Sequence, residues 1–176
     1  MKFIMALAAV CACFWTPITG AAPASLDTGQ RAALAAWLGR NPQFRIATAE
    51  DCDCDEDIKQ VRSTGGPFGD VMENYDPALL IGDFRGNGQA DFAVVMAKIA
   101  PGKPAEGLLL IFDGPFRDGA KQPAFAGNVG VLKHAALFLN EEGYPMFGPF
   151  KGEGCIFRPA QRTYRPDCAR FSLDKD

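Results

Sequence analysis

The chain has 176 residues, 48% of them apolar, and a formal net charge of −3. That balance excludes general nucleic-acid binding, which needs a concentrated basic face. With a leader set aside, about 155 residues remain, enough for one domain with a core of its own.

Residues 1–21 read as a signal peptide. Lys2 supplies the basic start, Phe3 to Trp15 the apolar run, and Thr19-Gly20-Ala21 the small residues for cleavage before Ala22. The run is short for a membrane span, and Pro17 lies near its end, so the mature chain, 22–176, is expected to carry no transmembrane helix. Cys11 and Cys13 leave with the leader. A lipoprotein anchor at Cys13 is the lesser alternative, because Val10-Cys11-Ala12 makes an irregular box before it. Removal takes away Lys2 and no acid, which moves the net charge from −3 to −4. The expected location is the periplasm or the medium.

Leu26 to Asn41 reads as a first helix, with Leu26, Ala33, Leu34, Trp37 and Leu38 on one face. Asp27 or Thr28 can cap its start, and Asn41-Pro42 stops it. Gln43 to Thr48 suits a short strand. The acidic run Glu50-Asp51-Cys52-Asp53-Cys54-Asp55-Glu56-Asp57 reads as the favourable start of a helix through Ile58 to Arg62, in preference to a cation site. Ser63 to Asn74 is Gly- and Pro-rich and predicts a loop.

Leu79-Leu80-Ile81 and Phe92-Ala93-Val94-Val95-Met96 are apolar runs around a polar loop, a predicted hairpin. Leu108 to Phe112, apolar throughout, predicts a strand covered on both faces. Ala135 to Leu139 favours strand, with Tyr144 to Phe147 as its hairpin partner. Cys155 to Arg158 and Thr163 to Arg165 predict a last hairpin at a sheet edge, where Pro159 and Pro166 are tolerated. Gly-Pro-Phe recurs at 66–68, 114–116 and 148–150, each expected to end a strand in a turn and tuck its Phe under it as part of the core. The expected fold is α+β, with an N-terminal helix or helices packed on one antiparallel sheet of five or six strands.

Cys52, Cys54, Cys155 and Cys168 remain in the mature chain, and an even count in an exported protein predicts disulfides. A bridge spanning a single residue strains the usual geometry. Cys52 and Cys54 are therefore expected to bond to Cys155 and Cys168, tying the two ends of the chain together. A metal site on Cys52-x-Cys54 is disfavoured by the lack of a nearby His.

The hairpin loop has oxygen-bearing side chains at alternate positions, Asp83, Asn87, Gln89 and Asp91, interrupted by Arg85, with Gly88 at the sixth place. A calcium loop uses such spacing and such a Gly, although Val94 stands where an EF-hand has its bidentate Glu. Residues 82–94, Gly-Asp-Phe-Arg-Gly-Asn-Gly-Gln-Ala-Asp-Phe-Ala-Val, resemble the FG-GAP (VCBS) motif, GDFNGDGxxDLAV. The resemblance implies a calcium loop joining two strands, with Asp83, Asn87 and Asp91 as side-chain ligands and Gln89 as a carbonyl ligand. Arg85 and Asn87 depart from the pattern, which leaves two carboxylates and at best weak calcium binding. The simpler reading is a turn closed by Asp83 and Asn87, with Arg85 pairing Asp83 or Asp91 in place of a metal. A propeller needs several such motifs, and the chain has one. As a whole the chain is similar to small exported proteobacterial proteins carrying one FG-GAP-like loop.

His134 is the one histidine, flanked by Lys133 and Ala135, with no nucleophile elbow anywhere. No phosphate loop or nucleotide fingerprint is present. The leading expectation is a non-catalytic binding module of the bacterial envelope, its partner another envelope protein, with no cofactor beyond weak calcium. The alternatives are a small periplasmic hydrolase using carboxylates or His134, and an inhibitor or immunity protein.

Overall fold

A computed structural model describes residues 26–65, 71–99, 105–117, 121–152 and 154–168. The expected signal peptide and Gly66-Pro67-Phe68 lie outside these residues.

Helix α1 (Thr28–Arg40) starts where expected. The Asp27 carboxylate accepts the Gln30 N–H at 2.8 Å and the Gln30 side chain accepts the Asp27 N–H at 2.9 Å, a reciprocal cap. Strand β1 (Phe44–Ile46) follows, then α2 (Ala49–Cys52) and α3 (Asp55–Ser63), whose first turn holds Asp55, Glu56 and Asp57. The other strands are β2 (Leu79–Gly82), β3 (Asp91–Lys98), β4 (Glu106–Phe112), β5 (Phe125–Val131), β6 (Ala135–Leu139), β7 (Pro145–Pro149), β8 (Cys155–Ala160) and β9 (Thr163–Cys168).

These strands form two antiparallel sheets, which corrects the expectation of one. The first runs β1-β3-β4-β5, with β2 sharing the β1 edge of β3: β2 pairs with 91–94 and β1 with 96–98. The second is the meander β6-β7-β8-β9. The chain is accordingly richer in strand than the α+β expectation. β5 has no counterpart among the predicted strands, because Gly127, Asn128 and Gly130 break its pattern and it is a half-exposed edge.

Period-2 alternation sorts the side chains into layers. Ala93, Val95, Leu109 and Ile111 of the first sheet face Leu137, Phe147, Phe157 and Tyr164 of the second. Phe92, Val94, Met96, Leu110 and Phe112 point the other way, onto Leu26, Ala33, Leu34 and Trp37 of the α1 segment. On the far side of the second sheet, Ala136, Phe138 and Met146 pack with Ile58, Val61, Tyr75 and both N-terminal cysteines. The order is thus helix, sheet, sheet, helices. β3 and β4 are covered on both faces, as the unbroken apolar run of β4 predicts.

The disulfides are Cys52–Cys54 and Cys155–Cys168, a correction to the expected long-range pairing. Layering is the reason. Cys52 and Cys54 lie in the outer cluster, while Cys155 packs against the inter-sheet core. Asp53, at φ 51 and ψ 45, curls the chain so that its two neighbours meet. Cys155 and Cys168 are register partners across β8 and β9. Of the two described Gly-Pro-Phe copies, Gly114-Pro115 follows β4 and leaves Phe116 half-buried, while Gly148-Pro149 closes β7 itself and Phe150 is buried. Phe116 packs on Phe92 at 5.3 Å, and Phe150 lies edge-on to Phe138 at 5.2 Å.

Candidate functional site

The β2–β3 connection has an exposed tip and a buried root. At the tip, the Asp83 carboxylate accepts the N–H groups of Asn87 at 2.9 Å and Gly88 at 2.7 Å. The Asn87 side chain accepts the Gln89 N–H at 3.0 Å. Gly86 at φ +64 and Gly88 at φ +77 hold left-handed conformations that strain any side chain. The N–H groups aimed at Asp83 hold its carboxyl below the usual range.

Between tip and root, Phe84 drops into the inter-sheet core, 1% exposed. Gly82 makes room for it, since a Cβ there would stand 2.9 Å from the Phe84 ring.

At the root, Asp91 is fully buried. One oxygen accepts the Phe84 N–H at 3.0 Å, the other the Gly114 N–H at 2.7 Å. The second bond needs a close approach: a Cβ on Gly114 would stand 2.5 Å from the Ala90 carbonyl oxygen. Burial pushes the Asp91 carboxyl up, against the pull of the Gly114 N–H, and the nearby Asp113 charge adds to the rise. Asp113, just past β4, accepts the Tyr164 hydroxyl at 2.8 Å and the Arg85 guanidinium at 2.5 Å. Arg85 also donates to the Gln161 carbonyl at 2.9 Å. Burial and the bond to Asp113 push the Tyr164 hydroxyl up. Among the described residues, no buried side-chain nitrogen or oxygen lacks a hydrogen-bond partner.

The proposed calcium ligands thus divide. Asp83 and Asn87 turn their oxygens to main-chain N–H groups at the tip, and Asp91 does so at the root. Gln89 is exposed, and its N–H is held by Asn87. Among the described residues, no three His, Cys, Asp or Glu side chains gather as metal ligands. Arg85 pairs with Asp113, which corrects the expected pairing with Asp83 or Asp91. Asp113 and Tyr164 were invisible as site residues. The available signal was an acid abutting a wholly apolar strand, Leu108 to Phe112, where a buried carboxylate needs partners.

His134 is exposed in the β5–β6 connection at φ 56. Its N–H donates to the Cys52 carbonyl at 2.6 Å, and its carbonyl accepts the Phe150 N–H at 3.3 Å. These are main-chain roles. A shallow hollow of about 200 Å³, solvent at its mouth included, opens between the sheets beside Ala47, Ala78, Val95, Leu132 and Phe147. Neither His134 nor the buried acids line it. No helix among the described residues is long and apolar enough to cross a membrane.

No protein-family model, curated protein or solved structure matches the chain. The likeness of residues 82–94 to the FG-GAP motif therefore stands on those residues alone.

Proposed function

We propose that this chain is a non-catalytic binding module of the bacterial envelope, exported to the periplasm or beyond. The observation that carries the reading is the state of the buried acids. Asp91 and Asp113 are the buried acids among the described residues, and each of their oxygens already accepts a hydrogen bond from the protein. A general acid or base needs a lone pair or proton aimed at a substrate. These four oxygens face backbone, Tyr164 and Arg85. Two disulfides agree with an oxidising location. A rigid root beneath an exposed loop is also how scaffolds commonly present recognition residues.

The test compares the wild type with Asp113→Asn and His134→Ala on chromogenic esters, phosphates and glycosides. The expected result is no turnover that either substitution removes. In parallel, the labelled wild type should bind saturably to an envelope fraction. A rate abolished by Asp113→Asn in a chain that still folds would replace this reading with the hydrolase.

A further inference from the structure

The chain has five asparagines, and only Asn87 precedes a glycine. That pair is chemically weak. The main-chain nitrogen of Gly88 can attack Cγ of Asn87, forming the N–Cγ bond of a five-membered succinimide. The Cγ–Nδ2 bond breaks, and ammonia leaves with the proton from the Gly88 nitrogen. Water then opens the ring to aspartate or isoaspartate. Glycine favours the step because it puts no side chain in the way of the attack. Here both residues are exposed, and nothing stands within 4 Å of where a Gly88 Cβ would be. Crowding therefore gives no protection.

Hydrogen bonds do. The attacking nitrogen is tied up, since the Gly88 N–H donates to Asp83 at 2.7 Å. The Asn87 N–H donates to the other oxygen of the same carboxylate at 2.9 Å. The electrophile is tied as well, with Asn87 Oδ1 accepting the Gln89 N–H at 3.0 Å. Cyclisation must free the Gly88 nitrogen and the Asn87 side chain, so the Gly88 and Gln89 contacts oppose it, and the Asn87 N–H bond anchors Asp83 in place. We infer that Asn87 is a deamidation site of this protein and that Asp83 is the clamp that holds the reaction back.

The test is timed incubation at neutral pH, followed by digestion and mass mapping of the peptide containing residues 82–94. Native wild type should gain acid at Asn87 more slowly than the same chain in denaturant. Folded Asp83→Ala should gain it roughly tenfold faster than folded wild type, since a bond to a charged acceptor carries about that factor. Should Asp83→Ala fail to fold, Asp83→Asn keeps one acceptor oxygen and should deamidate at Asn87 at a rate between those of native and denatured wild type. Equal rates for native and denatured wild type would overturn the inference. So would a folded Asp83 variant that deamidates no faster than wild type.

Discussion

Asp83 and Asp91 stand at the two ends of one loop and do opposite things with the same chemical group. Each accepts two main-chain N–H groups. Asp83 does so in water, and its carboxyl is held low. Asp91 does so in the core, where burial outweighs its bonds and lifts it. Hydrogen bonding alone therefore does not set the behaviour of a carboxylate; the solvent it has lost decides the sign. The tip is a local turn that shapes itself. The root joins β3, the end of β4 and β9, and so spans both sheets.

The largest effect is expected at the root. Asp91→Ala leaves the Phe84 and Gly114 N–H groups without acceptors and should cost roughly 2–5 kcal/mol in denaturant unfolding. A loss no greater than that of a surface substitution would erase the distinction between root and tip. Tyr164→Phe removes the donor to Asp113 and should cost about 1–2 kcal/mol. The loss should be smaller in a chain already carrying Asp113→Asn, because the two groups share one bond.

The comparison sharpens in the pH profile of stability. Asp91 is raised, so its contribution is full below the ordinary carboxylate range and is lost as pH rises through its folded value. Asp83 is lowered, so its contribution is full above that range and is lost as pH falls through its folded value. Melting curves should show the penalty of Asp91→Asn shrinking with rising pH and that of Asp83→Asn shrinking with falling pH. Parallel profiles would mean that burial does not separate the two.

Calcium is expected to do least. Asp83 would have to release the Asn87 and Gly88 N–H groups to bind it. Millimolar calcium should shift the melting temperature by less than about 2 °C, since binding stabilises only by RT ln(1 + [L]/Kd). A large shift that Asp83→Ala removes would restore the ligand set read from the loop.

Much of the first sheet was legible, because β3 and β4 are apolar enough to announce themselves and Asp27 with Gln30 spells a helix start. The second sheet was legible only as strands. Nothing in a period-2 pattern says whether Ala135 to Leu139 joins β5 or founds a new sheet. The chain changes layer between Leu132 and Ala135, where His134 takes a left-handed conformation that its residue type does not advertise. Half of the site was visible too. Asp83, Arg85 and Asn87 sit in a recognisable loop, whereas Asp113 and Tyr164 reach it through tertiary contacts 28 and 51 residues apart in sequence. The cysteine pairing failed for a related reason: spacing argues about ring strain, and the layers decided which sulfurs could meet.

Both bridges join cysteines that are neighbours in chain order, Cys52 to Cys54 and Cys155 to Cys168. Among these four cysteines, an oxidant that pairs each thiol with the next to emerge, Cys52 with Cys54 and Cys155 with Cys168, arrives at the native set with nothing to reshuffle. Neither bridge has to await assembly of the two sheets, and the acids beneath the loop can find Tyr164 and Arg85 in a chain whose covalent structure is already final.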